Sequence, residues 1–192
     1  LKKIVGILSL QGCVEPHADH LRALSVEPRY IYKPRDLSGI QALILPGGES
    51  TTMLKLAQEC GLWEILPSLA REIPFWGICA GAILMAKEVE NPEQPGLGVM
   101  DLKVRRNAYG RQLESSQQEI QLASGENAQA VFIRAPRFVS WGESVKVAGK
   151  VGDESVYLES GLHMATAFHP ELMESHWCHE RFLERVPRKL NT

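Results

Sequence analysis

The segment Gly77-Ile78-Cys79-Ala80-Gly81 lies between two apolar runs, Pro74-Phe75-Trp76 before it and Ala82-Ile83-Leu84-Met85-Ala86 after it. An apolar strand that runs into an apolar helix through a tight turn puts the turn residue at an apex, and small neighbours leave room around its side chain. The apex residue here is Cys79. Far downstream, His169-Pro170-Glu171 supplies an imidazole and a carboxylate. A thiol, a base that takes its proton and an acid that orients the base are the parts needed for acyl transfer through a thioester. If the segment is extended, His169 and Glu171 point to the same side. The carboxylate then fixes the imidazole tautomer. A helix beginning at Ala80 favours an anionic sulfur at its N-terminus. The oxyanion of the tetrahedral intermediate needs fixed donors, and the candidates are the backbone amides of Ala80 and of Gly48 in the turn Pro46-Gly47-Gly48-Glu49-Ser50.

Each piece has an ordinary reading when taken alone. Gly-x-Cys-x-Gly can be a tight turn with a packed cysteine, Pro-Gly-Gly only a turn, and His-Pro-Glu only a strand end. The order strand–PGGES–helix, strand–GICAG–helix, strand–HPE is far more specific than its parts. In an open parallel sheet, sites form beyond the carboxyl ends of the strands, which is where all three segments are expected.

The elements that must hold them are legible from hydrophobic pattern. Lys3 to Leu10 and Ala42 to Leu45 are apolar at nearly every position, as strands buried on both faces are. Pro28 to Tyr32 reads as a further strand. Helices are expected over Glu15 to Ser25, over Thr51 to Cys60 with Ser50 or Thr51 as N-cap, and around Trp63 to Arg71. This alternation predicts a parallel sheet with helices on both faces. From about Val99 the pattern changes to strands joined by short loops: Val99 to Arg105, Glu119 to Leu122, Ala130 to Ile133, Val145 to Val151, Ser155 to Leu158 and Met164 to Phe168. Helix returns over Ser175 to Val186. The expectation is a mostly parallel central sheet extended by antiparallel strands, with residues 1–192 forming one domain.

Composition narrows the function classes. The chain has 192 residues, 44% hydrophobic and 23% charged, with a formal net charge of −2. That balance gives no electrostatic reason to expect nucleic acid or an anionic membrane as partner, and no apolar run is long enough to span a bilayer. Leu1 to Leu10 reads as a first strand and not as a leader. The four cysteines, Cys13, Cys60, Cys79 and Cys178, are spaced too irregularly for a disulfide framework or a paired zinc motif. Free thiols and a cytoplasmic location are expected, with Cys13 and Cys60 inert. His176-Trp177-Cys178-His179 puts two imidazoles three apart on a helix. A zinc site would need further ligands that no local spacing supplies, so a solvated helix face and no metal are expected. Arg105, Arg106 and Arg134 stand at strand ends and suit bidentate capture of a substrate carboxylate.

Together these motifs resemble the class I, triad-type glutamine amidotransferases and, among them, the glutaminase subunits of pyridoxal 5′-phosphate synthase. The resemblance runs through Leu10-Gln11-Gly12, Leu45-Pro46-Gly47-Gly48-Glu49-Ser50-Thr51-Thr52, Gly77-Ile78-Cys79-Ala80-Gly81, Arg105-Arg106-Asn107-Ala108-Tyr109-Gly110-Arg111-Gln112, Val131-Phe132-Ile133-Arg134-Ala135-Pro136 and Phe168-His169-Pro170-Glu171-Leu172. It implies a three-layer α/β, flavodoxin-like fold, with Cys79 as nucleophile and His169 and Glu171 completing a triad. It further implies that Gly47, Gly48, Glu49, Ser50, Arg106, Ile133 and Arg134 line the L-glutamine site. Ammonia would pass to a barrel-type synthase subunit, whose presence would order the Gly47-Gly48 turn. No cofactor is expected, because pyridoxal 5′-phosphate would be the product of the complex. One departure stands near the first helix: Pro16 precedes His17 where such subunits usually carry Glu, in a region expected to face the synthase.

Two other classes fit parts of the pattern. A stand-alone cysteine hydrolase or peptidase would share the triad, although the Gly-Gly-Glu turn and the arginines favour a free amino acid. A flavodoxin-like redox sensor would use the elbow cysteine alone and leave His169 and Glu171 without a role.

Overall fold

The computed structural model describes residues 3–108 and 116–187. Nine strands form one sheet in the order β2-β1-β3-β4-β12-β11-β10-β7-β8. Its parallel part comprises β2 (Glu27–Ile31), β1 (Ile4–Leu8), β3 (Ala42–Leu45), β4 (Phe75–Ile78) and β12 (His163–Thr166). Beyond β12 the sheet continues antiparallel through β11 (Glu154–Ser160), β10 (Lys146–Val151), β7 (Ser116–Leu122) and β8 (Asn127–Phe132). This is the parallel sheet with antiparallel extension read from the sequence. The inner strands are buried along their whole length: β3 and β4 expose no residue to solvent.

Side-chain alternation on β4 shows how the layers form. Trp76 points to one face and meets the rings of His17 on α1 (Glu15–Ala23) and of His179 and Phe182 on α5 (Trp177–Leu183). Its neighbour Gly77 points to the other face, where a Cβ would lie 2.7 Å from Ala82 N on α4 (Ala80–Met85). Only glycine lets that helix approach the strand so closely. α4 also packs against β3, β12 and α2 (Ser50–Glu59). The result is a helix–sheet–helix sandwich.

Several expected elements differ. The helix around Trp63 to Arg71 is one turn, α3 (Leu66–Leu69), with Pro67 at its start. α4 stops at Met85, and Ala86 begins a strand, β5 (Ala86–Glu90), which the continuous apolar run disguised. β5 pairs with β6 (Met100–Arg105), which pairs in turn with β9 (Arg137–Trp141). These three form a separate sheet. The strand expected at Val99 to Arg105 therefore exists but does not extend the main sheet. α2 is capped by Glu49, not by Ser50 or Thr51: the Glu49 carboxylate accepts from Thr52 N at 2.8 Å. Pro16 sits in the first turn of α1, where its missing N–H costs nothing.

Candidate active site

Parallel strands deliver their carboxyl ends to one edge, and four loops meet there. β1 leads to Gln11-Gly12-Cys13, β3 to Gly47-Gly48-Glu49, β4 to Cys79 and β12 to His169. Backbone hydrogen bonds lock the loops to one another. Cys13 N donates to Gly47 O at 2.9 Å, Cys79 N to Thr166 O at 2.8 Å, and His169 N to Val131 O at 2.7 Å. Gln11 Oε1 accepts from Glu49 N at 2.8 Å.

Cys79 occupies φ 49° and ψ −103°, a conformation unusual for any residue with a Cβ. Such strain persists only where the surroundings impose it, and it marks the elbow geometry expected from Gly-x-Cys-x-Gly. The thiol is buried, with Ile133 O 3.9 Å from Sγ. Ala80 opens α4, so its amide belongs to the first turn and has no intrahelical acceptor.

His169 and Glu171 are in contact: Nδ1 lies 2.7 Å from Oε1. The extended segment expected for them is not present. Pro170–Leu172 form a 3-10 turn, and it is this turn that swings the carboxylate back onto the ring. With Nδ1 engaged, Nε2 is buried and has no protein partner of hydrogen-bond geometry among the described residues. Burial lowers the proton affinity of His169, but the neighbouring Cys79 sulfur and the hydrogen-bonded Glu171 carboxylate outweigh it and lift the group to about 10. For Glu171, burial pushes the carboxyl up. The bond to His169 and the charges of His17 and His169 more than reverse that and hold it below its ordinary value.

These directions set a pH dependence. A group raised on folding stabilises the fold fully below its unfolded value, and loses that contribution as pH rises through its folded value. For His169 the window runs from 6.5 to about 10. The gap in melting temperature between wild type and His169→Gln is therefore expected to be widest near the lower end of that window and to shrink toward its upper end. A gap that stays constant between the two would contradict the assignment.

The glutamine-site candidates divide. Glu49, Ser50 and Arg106 converge. Arg106 Nη2 lies 3.3 Å from Glu49 Oε1, and Ser50 is buried with Oγ donating to Gln94 Oε1 at 2.9 Å. Hydrogen bonds from Thr51 and Thr52 overcome partial burial and hold Glu49 down at about 2. Arg106 is nearly buried, and its Nη1 has no partner among the described residues. Its neighbour Arg105 does not join the site: Nε pairs with Glu90 Oε1 at 2.5 Å, across the small sheet. Ile133 contributes its carbonyl beside Cys79, while Arg134 turns through φ 45° with an exposed side chain. Tyr109 to Gln112 lie outside the described residues.

One expectation needs correction. His176-Trp177-Cys178-His179 is not a solvated face, because Cys178 and His179 are buried. α5 packs against α1 and Trp76, so that polar helix residues lie inside the molecule. Cys13 is held as an unreactive thiol. Its thiol lies against Glu171, and burial together with that charge pushes it up to about 11. Among the described residues no group of His, Cys, Asp and Glu is arranged to hold a metal.

A profile of the SNO glutamine amidotransferase family matches residues 7–188. The chain belongs to this family. Among its relatives, the pyridoxal 5′-phosphate synthase subunit PdxT of Thermus thermophilus is 44% identical over 187 residues, 96% of this chain and 98% of that protein. The PdxT of Exiguobacterium sibiricum is 40% identical over 188 residues, 97% of each. A solved glutamine amidotransferase structure superposes with TM-score 0.90 at 43% identity, covering 95% of this chain and 98% of the other. The SNO glutamine amidotransferase assignment thus spans the elbow, the His-Pro-Glu turn and the Gly-Gly-Glu turn alike. No helix among the described residues is long and apolar enough to cross a membrane.

Proposed function

We propose that this chain is the glutaminase subunit of a pyridoxal 5′-phosphate synthase, hydrolysing L-glutamine to L-glutamate and ammonia through a Cys79 thioester. The observation that carries the reading is the line Cys79–His169–Glu171, assembled from β4 and β12, with the 2.7 Å Nδ1–Oε1 contact at its far end. The Cys79 sulfur, its proton transferred to His169, attacks the side-chain carboxamide carbon. The oxyanion that forms is met by the amides of Ala80 and Gly48. His169 then protonates the departing nitrogen, and ammonia leaves. Water, deprotonated by the same imidazole, attacks the thioester and releases glutamate. Glu171 keeps the Nδ1 proton in place and stabilises the cation at each stage.

Glu49, Ser50 and Arg106 are the groups best placed to hold the amino-acid end of glutamine, with Gly47, Ile133 and Arg134 completing the pocket. The unpartnered Arg106 Nη1 is the donor a substrate carboxylate would satisfy. Ammonia passes to a barrel-type synthase partner, which consumes it in building pyridoxal 5′-phosphate. Nothing in this chemistry asks for a cofactor on this chain.

The test is glutamate release from L-glutamine with the synthase subunit present. Arg106→Ala is expected to raise KM about tenfold or more, the scale of one charge-assisted contact, with a smaller change in kcat. An unchanged KM would remove Arg106 from the substrate site.

A further inference from the structure

Glu171 has a second carboxylate oxygen that the triad does not use. Oε1 is committed to His169, whereas Oε2 is buried with no hydrogen-bond partner among the described residues. The imidazole facing it is that of His17 on α1, whose Nε2 lies 3.7 Å away and is itself buried and unpartnered among the described residues. Both side chains are fully excluded from solvent. Two orphaned atoms that face each other in a dry interior, one able to donate and one able only to accept, are natural partners.

The tautomer follows from the next residue along. His17 Nδ1 lies 2.9 Å from His179 Nε2. Burial drives His17 down to about 4 and lowers His179 as well, so both rings are neutral across the working pH range. Each neutral ring carries one N–H. If His17 Nε2 carries its proton toward the carboxylate, Nδ1 must accept, and His179 Nε2 must donate. His179 Nδ1 is then a bare lone pair, consistent with its being buried without a partner. The opposite arrangement would aim a lone pair at a carboxylate and bury an unsatisfied N–H. α1 makes one more contact with the same turn: His20 Nε2 lies 3.3 Å from the Glu171 carbonyl oxygen, and His20 Nδ1 lies 2.6 Å from His176 Nδ1. Two histidines one helical turn apart therefore grip Glu171, one at its side chain and one at its backbone.

We propose that His17 is a positioning residue of the triad: its Nε2–H holds Glu171 Oε2, with His179 fixing the tautomer, so that Oε1 stays on His169 Nδ1. It touches neither substrate nor the reacting atoms and acts through Glu171. This rests on the triad assignment above, and a Cys79→Ala sample run alongside separates the two: activity surviving in that variant would sink the triad, independently of His17.

The experiment compares His17→Asn and His17→Gln in the complex with the synthase subunit. Asparagine keeps a group near the Nδ1 position for His179 but cannot reach Glu171. Glutamine puts an amide donor near the Nε2 position. Losing a donor to a carboxylate raises its proton affinity. The Asn variant is expected to lose about tenfold in kcat, on the scale of outer-shell partners elsewhere, with KM little changed and the acid limb of kcat/KM moved to higher pH. The Gln variant is expected to restore both. The other ionisable groups that face Glu171 are His169, His20, Cys13 and Cys178, and both variants leave them in place. Equal activity in the two variants, or an acid limb that does not move in His17→Asn, would overturn the proposal and leave His17 as core filling. Should either variant fail to fold, nitrogen chemical shifts of the wild-type imidazoles decide: protonated Nε2 and bare Nδ1 on His17 support the proposal, and the reverse tautomer overturns it.

Discussion

Replacing Cys79 with alanine is expected to reduce glutamate release by about 10⁴-fold or more, without loss of the fold. The size follows from how the site is organised. Oxyanion donors and substrate contacts remain in the variant, but the nucleophile is gone, and members of a triad act as a unit and not additively. The residue at 79 is also an energetic liability to the fold. Its φ of 49° is unfavourable for a side chain, and alanine meets the same penalty there. The melting temperature of Cys79→Ala should therefore stay near that of wild type. Glycine tolerates positive φ, so Cys79→Gly should be the more stable of the two inactive variants. Activity that persists in Cys79→Ala would force the reaction onto another nucleophile. The two cysteines packed near Glu171 offer none: Cys178 is buried, with its thiol pushed well up by desolvation, and Cys13 is raised by burial and the neighbouring Glu171.

The features legible in the sequence are those written in local chemistry. Gly77 and Gly81 around Cys79 announce the elbow because close backbone approach requires residues without bulk. The apolar runs at Ala42 to Leu45 and Phe75 to Ile78 announce buried parallel strands because both faces must be covered. What escaped was non-local. β5 follows α4 without a polar break, so period alone could not place the boundary between Met85 and Ala86. The 3-10 turn at Pro170–Leu172 achieves the His169–Glu171 contact by a route that strand geometry did not suggest. The histidine cluster was the largest miss. His176 and His179 look like a polar helix face because their partners, His17 and His20, lie far away in the chain. The only signal available was the number of histidines itself: of the six in the chain, three fall on two short helices and a fourth, His176, immediately precedes the second of them.

Gly47→Ala carries the second large effect, and it acts on the base and not on the nucleophile. A Cβ at position 47 would lie 2.4 Å from Cε1 and 2.8 Å from Nδ1 of His169. The ring cannot simply swing aside, because Nδ1 is held at 2.7 Å by Glu171 and the His169 backbone is tied to Val131 at 2.7 Å. The Gly47 backbone is tied as well, through Cys13 N at 2.9 Å. Something must shift by a large fraction of an ångström, and either movement separates parts that the reaction needs together. Moving the ring takes Nε2 away from Cys79; moving the turn takes the Gly48 amide away from the oxyanion. A displacement of about 1 Å at a catalytic group costs on the order of 10²-fold in rate, and a loss of at least that size in kcat is expected. Stability should fall far less, since the site is a loop edge and not the centre of the sheet. Alkylation of Cys79 by iodoacetamide separates the two routes. A slowed reaction means that the imidazole has left the sulfur, whereas an unchanged one with low turnover means that the oxyanion donor has moved. Full turnover in Gly47→Ala would show that the His169 ring is less tightly held than its contacts imply, and would weaken the case that Glu171 positions it.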